Sequence, residues 1–252
     1  MRNLVIIRGR HHSPDGKSER EEIAVKNLEA SRCIAETLVV HDRIDRIFGD
    51  GINNKVALQW NNYLNRKARF KDSSNPNVQS TVDWLRMTLR CRASGVPIEW
   101  CPTESDFLQD RLHGFVYDTL SPSVVIANMF ARTIMDILKM KLRGKDLLGA
   151  MKSINTKDYL PEDGPLVERA YTRLREWAIY RNISRLGSES NLLWMGRAHP
   201  MNDFHRPRSG FSVTGVTIKD DLDFSIDFAN RAAPTIDFYR LIERCIEESQ
   251  SS

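Results

Sequence analysis

The sequence predicts an α/β fold with a mostly parallel central sheet and helices on both faces. Short apolar segments of strand length alternate along the chain with longer segments in which apolar residues recur at helical spacing. Residues 4–7 form a run of four apolar residues, three of them β-branched, which is typical of a strand buried on both faces. A second apolar strand is predicted at 191–195. Buried strands separated by helices favour a parallel sheet.

The remaining elements follow from apolar spacing and from the positions of breakers. Ser18 to about Val40 is predicted to be helical, and Ser18 and Glu21 can form a capping box. Further strands are predicted at 43–48, 96–101, 211–218 and 224–228, and further helices at 82–93, 164–185 and 235–248; part of 53–77 is also expected to be helical. A long helical segment begins at 121, so that about 121–185 forms a helical region over the sheet. No linker or domain-sized repeat is evident, and a single α/β domain over 1–252 is predicted.

Composition narrows the classes of function. No apolar run approaches the roughly 20 residues of a membrane span, and the first residues lack the apolar core of a signal peptide. The net charge of +4 is spread along the chain and gives no support for nucleic-acid binding. The four cysteines follow neither zinc-site nor disulfide-framework spacing. Buried thiols in a reducing cytoplasm are therefore expected.

Two predicted strands end in the same short motif. Gly-Arg-His-His occupies 9–12 after the first strand, and Gly-Arg-Ala-His occupies 196–199 after the late strand. In open α/β sheets, ligands bind at the carboxyl ends of the strands, so His12 and His199 can reach one site. A third predicted strand ends next to Asp50, which adds a carboxylate to the same edge.

These three residues, His12, His199 and Asp50, are the candidate catalytic residues. A neutral imidazole is a general base, and two histidines with one carboxylate form a common open site for a divalent metal, whose bound water would be the nucleophile. The same three residues are thus the candidate metal ligands, although the sequence leaves the presence of a metal open. His11 is adjacent to His12, and in an extended chain the two side chains point in opposite directions. One of the two is expected to face the site, and simple packing of each histidine against its own turn is the alternative.

Three arginines are candidates for binding an anion. Arg10 and Arg197 hold equivalent positions in the two motifs, where they can bind a carboxylate or phosphate of the substrate or stabilise developing negative charge. Arg8 is the third candidate. Ordinary ion pairs are the alternative for all three, and their positive charge would oppose the binding of a metal cation.

The motifs resemble the TraB/TIKI family and its ChaN-like and erythromycin-esterase-like relatives, in which two strands end in Gly-x-x-His. The segments 9–12 and 196–199 match those motifs, and 47–52 resembles the acidic strand end of the family, with Asp50 in place of a glutamate. Ser209–Ser212 stands where the family has a late glycine-containing loop. Many relatives carry glutamate where this chain has Arg10. The resemblance implies a hydrolase of peptide or ester bonds, in a group whose members also include haem-binding proteins.

A second resemblance is to the histidine phosphatase superfamily, which also opens with a strand that ends in arginine. Arg8 would match the phosphate-binding arginine, but Gly9 would stand at the position of the nucleophilic histidine and Arg197 at that of the second histidine. A non-catalytic module that binds a ligand or a protein is a third alternative. The expected partner is a small-molecule or peptide substrate, with no nucleic acid and no membrane, and a homodimer is left open.

Overall fold

The computed structural model of the chain describes residues 1–10, 18–103, 164–197, 199, 201–207, 209–230 and 236–251. Met1–Thr103 and Asn182–Ser252 form one compact unit, and Glu104–Arg181 forms a second. Every strand of the described structure belongs to the first unit. The single domain over 1–252 stays a prediction.

The predicted strands and helices that fall within the described residues are present, with shifts at their ends; the largest is in the helix predicted at 82–93, which begins at Pro76. The strands are Arg2–Gly9 (β1), Arg46–Gly49 (β2), Glu99–Cys101 (β3), Ser190–Gly196 (β4), Phe211–Ile218 (β5) and Phe224–Ala229 (β6). The described helices are Ser18–His41 (α1), Asn54–Asn65 (α2), Pro76–Ala93 (α3), Gly164–Leu186 (α4) and Ile236–Ser251 (α5). The part of the predicted helical region that precedes Gly164 lies outside the described residues. None of the described helices is long and apolar enough to cross a membrane.

The six strands form one sheet in the order β3-β2-β4-β1-β5-β6. All neighbouring pairs are parallel except β5 and β6, which are antiparallel. This confirms the predicted α/β fold with a mostly parallel sheet. In the register of β1 with β4, Gly9 lies opposite Gly196, so the described parts of the two motifs begin side by side.

β1 is buried on both faces, as its apolar run predicts. Val5 and Ile7 belong to the hydrophobic core that the sheet forms with α1, α3 and α5. Leu4 and Ile6 point to the opposite face, because side chains alternate along a strand, and all four side chains are at most 5% exposed. On that second face, Phe204 from the segment after β4 packs edge-on against an aromatic ring of β5.

A cluster of tryptophans fills the core near β3. The ring of Trp100 lies 4.8 Å from that of Trp60 and 5.9 Å from that of Trp84, both in edge-to-face contact. The indole nitrogen of Trp100 donates a hydrogen bond to Thr88 Oγ1 at 3.1 Å. The side-chain amide of Asn61 bonds both the N–H and the C=O of Trp100, and so completes the hydrogen bonding along the outer side of this edge strand.

Helix α1 approaches the end of β1 closely because residue 9 has no side chain. A Cβ atom at Gly9 would lie 2.6 Å from Ser31 Oγ and 2.9 Å from Asn27 Oδ1, both on α1. Asn27 and Ser31 are fully buried. The first glycine of the motif is therefore required by packing, independently of any catalytic role.

Gly9→Ala is expected to lower the free energy of unfolding by about 1–3 kcal/mol, because the added methyl group overpacks the contact between α1 and β1. Urea denaturation followed by circular dichroism measures the change. Ser31→Gly removes the closest clashing atom. Gly9→Ala should therefore lower the free energy of unfolding less in the Ser31→Gly background than it does in the wild type. Equal stability of Gly9→Ala and the wild type would contradict this description of the contact.

Candidate functional site

The carboxyl ends of the parallel strands bring the candidate residues to one edge of the sheet. Arg10 follows β1, Asp50 follows β2, Arg197 and His199 follow β4, and Asp220 follows β5 closely. Four of these residues were predicted from the sequence to share a site, whereas Asp220 was not. The backbones are tied together across the edge, since the N–H groups of residues 50 and 197 bond the carbonyls of residues 194 and 9 at 2.9 and 3.1 Å.

His199 and Asp50 form a buried pair at this edge. His199 Nε2 lies 4.0 Å from Asp50 Oδ2, and both side chains are less than a tenth exposed. The N–H of Gly196 points at the same carboxylate oxygen at 3.4 Å, while the N–H of His199 bonds the Gly196 carbonyl at 3.3 Å. The turn after β4 thus holds the imidazole beside the carboxylate at the end of β2.

The fit of a divalent metal can be tested on this pair. Two metal–ligand bonds of about 2.1 Å span about 3.4 Å in tetrahedral geometry. The Asp50 oxygen and the His199 nitrogen are 4.0 Å apart, so the two side chains would have to approach each other to bind one ion. Within the described part of the chain, no group of three His, Cys, Asp or Glu side chains is placed to hold a metal. His11 and His12 lie outside the described residues, so a third ligand from His12 stays a prediction.

Arg10 and Arg197 converge on one carboxylate. Arg10 Nη1 lies 3.1 Å from Asp220 Oδ1, and Arg197 Nη2 lies 2.8 Å from the same oxygen. The two guanidinium groups carry more positive charge than one carboxylate neutralises. All three side chains are partly exposed: 22% for Arg10, 33% for Arg197 and 46% for Asp220. The equivalent positions of the two arginines in their motifs therefore place both guanidinium groups at one carboxylate in space.

Asn27 of α1 fixes the spacing of this arrangement. Its Oδ1 accepts a hydrogen bond from the N–H of Arg10 at 2.7 Å, and its Nδ2 donates to the carbonyl of Lys219 at 2.9 Å. One buried amide thus joins the residue after β1 to the residue after β5. Asp220, which follows Lys219, is held where it meets both arginines.

Arg8 lies on the face of the sheet and is buried, with 5% of its surface exposed. Its Nη1 donates to Asp227 Oδ2 at 2.8 Å, and its Nη2 donates to His205 Nε2 at 3.4 Å. The guanidinium reaches Asp227 across Gly215 of β5, where a Cβ atom would lie 2.6 Å from Arg8 Nη1. The ion pair therefore depends on a glycine in the strand between its partners.

His205 is held in its neutral form. Burial lowers the pKa of His205 most strongly, and the charge of Arg8 lowers it further, although Asp227 opposes the shift. A guanidinium can only donate, so Nε2 must accept, which assigns the ring proton of the neutral imidazole to Nδ1. The segment after β4 thus carries one histidine at the edge of the sheet and another on its face.

Asp220, Asp227 and Gly215 were not predicted from the sequence, and His205 had no predicted role. Asp220 had a usable signal, because it follows a predicted parallel strand closely and such residues gather at the carboxyl edge. Asp227 and Gly215 had none, since their relation to Arg8 depends on the antiparallel pairing of β5 with β6.

The lowered pKa of His205 predicts a dependence of stability on pH. Below about pH 6.5 the unfolded chain takes up a proton at this residue before the folded chain does, so the free energy of unfolding should fall as the pH drops from 7.5 to 5.5. Replacing the imidazole by an amide in His205→Gln should make this pH dependence shallower, because it removes the titrating group. Urea denaturation at both pH values measures the effect. An unchanged slope in His205→Gln would contradict the assignment.

Comparison of the chain with protein-family models, with curated proteins and with solved structures gives no match. Its function has to be inferred from the side chains at the edge of the sheet.

Proposed function

We propose that this chain is a hydrolase of peptide or ester bonds, similar to the TraB/TIKI family, with its active site at the carboxyl edge of the sheet. The proposal rests mainly on one observation, the buried pair of His199 and Asp50 at the end of two neighbouring parallel strands. A histidine beside a carboxylate can accept a proton from an attacking water molecule, because the carboxylate stabilises the imidazolium that results.

In this proposal His199 is the general base, and Asp50 is the carboxylate that stabilises its imidazolium form; the 4.0 Å between Nε2 and Oδ2 must shorten to a hydrogen bond for Asp50 to orient the ring. Water attacks the carbonyl carbon of the substrate as His199 takes its proton. The same imidazole then returns the proton to the leaving amine or alkoxide. The low exposure of both side chains supports these roles, because charges interact more strongly where water is excluded.

The second part of the proposal is that Arg10 and Arg197 bind negative charge. Guanidinium groups stabilise a carboxylate of the substrate or the oxyanion that forms during hydrolysis. Both arginines already hold the carboxylate of Asp220, which is 46% exposed and accepts both contacts on a single oxygen. A substrate anion would compete with Asp220 for the N–H donors of the two guanidinium groups.

A divalent metal fits this site only with a further ligand. His199, Asp50 and the predicted His12 would hold it, and a bound ion would supply a water molecule with a lowered pKa. We also propose that the protein acts in the cytoplasm, because all four of its cysteines are free thiols.

The phosphatase alternative is less well supported. It assigns phosphate binding to Arg8, but that guanidinium is 5% exposed and bound to Asp227. A phosphate would have to displace Asp227 from a guanidinium that is itself buried.

His199→Gln is expected to lower kcat/KM by about 100-fold or more, because it removes the general base. Asp50→Asn is expected to lower it by about 10-fold or more, because it removes the negative charge beside that base. Hydrolysis is measured with p-nitrophenyl acetate, p-nitrophenyl butyrate and peptide p-nitroanilides. Each assay is run after EDTA treatment and again with added Mn²⁺, Co²⁺ or Zn²⁺, and the metal content of the purified protein is determined.

His41→Gln is the matched control, because it removes an exposed histidine at the end of α1 and should leave kcat/KM unchanged. Wild-type rates in His199→Gln would exclude His199 as the base. If no probe is hydrolysed with or without metal, a non-catalytic binding module becomes the better account.

A further inference from the structure

Two cysteines, Cys33 on α1 and Cys245 on α5, lie at the contact between these helices, and neither belongs to the proposed active site. Both contact Thr37 of α1, whose Oγ1 donates a hydrogen bond to the Cys33 carbonyl at 2.9 Å. Thr37 Oγ1 lies 3.5 Å from Cys245 Sγ, and Cys33 Sγ lies 3.6 Å from Glu248 Oε2. The two cysteines therefore lie at one contact between α1 and α5, where each thiol shifts the pKa of the other.

A cavity of about 530 Å³ lies beside the pair and gives a small molecule a route to it. Its lining includes Thr37, Leu241 and Cys245. Cys245 is only 3% exposed, so the cavity is its means of access, whereas Cys33 is half-buried. A small uncharged oxidant fits this space.

The two thiols differ in acidity. A hydrogen bond from Cys33, followed by a weaker one from Thr37, lowers the pKa of Cys245 despite its burial. The hydrogen bond with Cys245 and burial raise the pKa of Cys33. Cys245 is thus the better nucleophile of the pair, and Cys33 is placed to react second.

We propose that Cys33 and Cys245 form an intramolecular disulfide when the protein meets hydrogen peroxide. The thiolate of Cys245 attacks one peroxide oxygen, the O–O bond breaks, and hydroxide leaves, so that sulfur is oxidised to sulfenic acid while peroxide is reduced. The sulfur of Cys33 then attacks that of Cys245, the S–S bond forms, the S–O bond breaks, and the displaced hydroxide takes the Cys33 proton. Two thiols and one peroxide give one disulfide and two molecules of water.

The bond would covalently join helices from opposite ends of the chain. α1 also carries Asn27, which spaces the residues at the proposed site, so the crosslink would fix α5 to the helix that supports that site. Closing so long a loop restricts the unfolded chain more than the folded one. The site is independent of the proposed hydrolase activity.

The full chain is reduced, freed of reductant, treated with hydrogen peroxide, alkylated and digested without reductant. The expected product is a peptide pair joined through Cys33 and Cys245, released by dithiothreitol, with Cys91 and Cys101 still alkylated. The melting temperature of the oxidised monomer should exceed that of the reduced protein by roughly 5–15 °C.

Cys33→Ser should leave Cys245 to oxidise further to sulfinic acid without a crosslink, and Cys101→Ser, the matched control, should form the crosslink as the wild type does. The wild-type result alone is decisive if a variant fails to fold. Alkylation of both Cys33 and Cys245 after peroxide treatment would overturn the proposal. So would a disulfide between two chains, or sulfinic acid at Cys245 of the wild type with Cys33 still reduced.

Discussion

The parallel pairing of β1 with β4 is the constraint on which the proposed site depends. Their register places Gly9 opposite Gly196, so the residues that follow in both motifs leave the sheet at the same edge. β2 lies beside β4 and adds Asp50, while β5 lies beside β1 and leads into Asp220. Four strands far apart in sequence thus deliver charged side chains to one short stretch of surface. An antiparallel neighbour in place of β4 would send its motif to the opposite edge.

Ion pairs with two carboxylates explain how three arginine side chains fit near this edge. Arg10 and Arg197 share Asp220, whereas Arg8 points to the face of the sheet and pairs with Asp227 across Gly215. The three arginines that look alike in sequence therefore have two different roles. Arg8 is a buried guanidinium that pairs with Asp227, and the other two arginines share the partly exposed carboxylate of Asp220.

Most of the fold was predictable because buried parallel strands have a strong local pattern. The apolar runs of β1 and β4 predicted two buried strands that end at a shared edge. Apolar residues at helical spacing predicted α1 and α4. The proximity of His199 to Asp50 followed from strand ends alone. The partner of Arg8 did not, since Asp227 is reached only through the pairing of β5 with an antiparallel edge strand. Nor did the Cys33–Cys245 contact, which depends on how α5 packs on α1.

The central claim is that the two Gly-Arg motifs form one site, and a double-mutant cycle tests it most directly. The values of kcat/KM for a negatively charged ester, p-nitrophenyl hemisuccinate, are compared for the wild type, Arg10→Gln, Arg197→Gln and the double variant. One shared site predicts that the two effects are non-additive, with a coupling free energy of about 1 kcal/mol or more. Effects that add to within about 0.3–0.5 kcal/mol, or no effect of either substitution, would contradict the account.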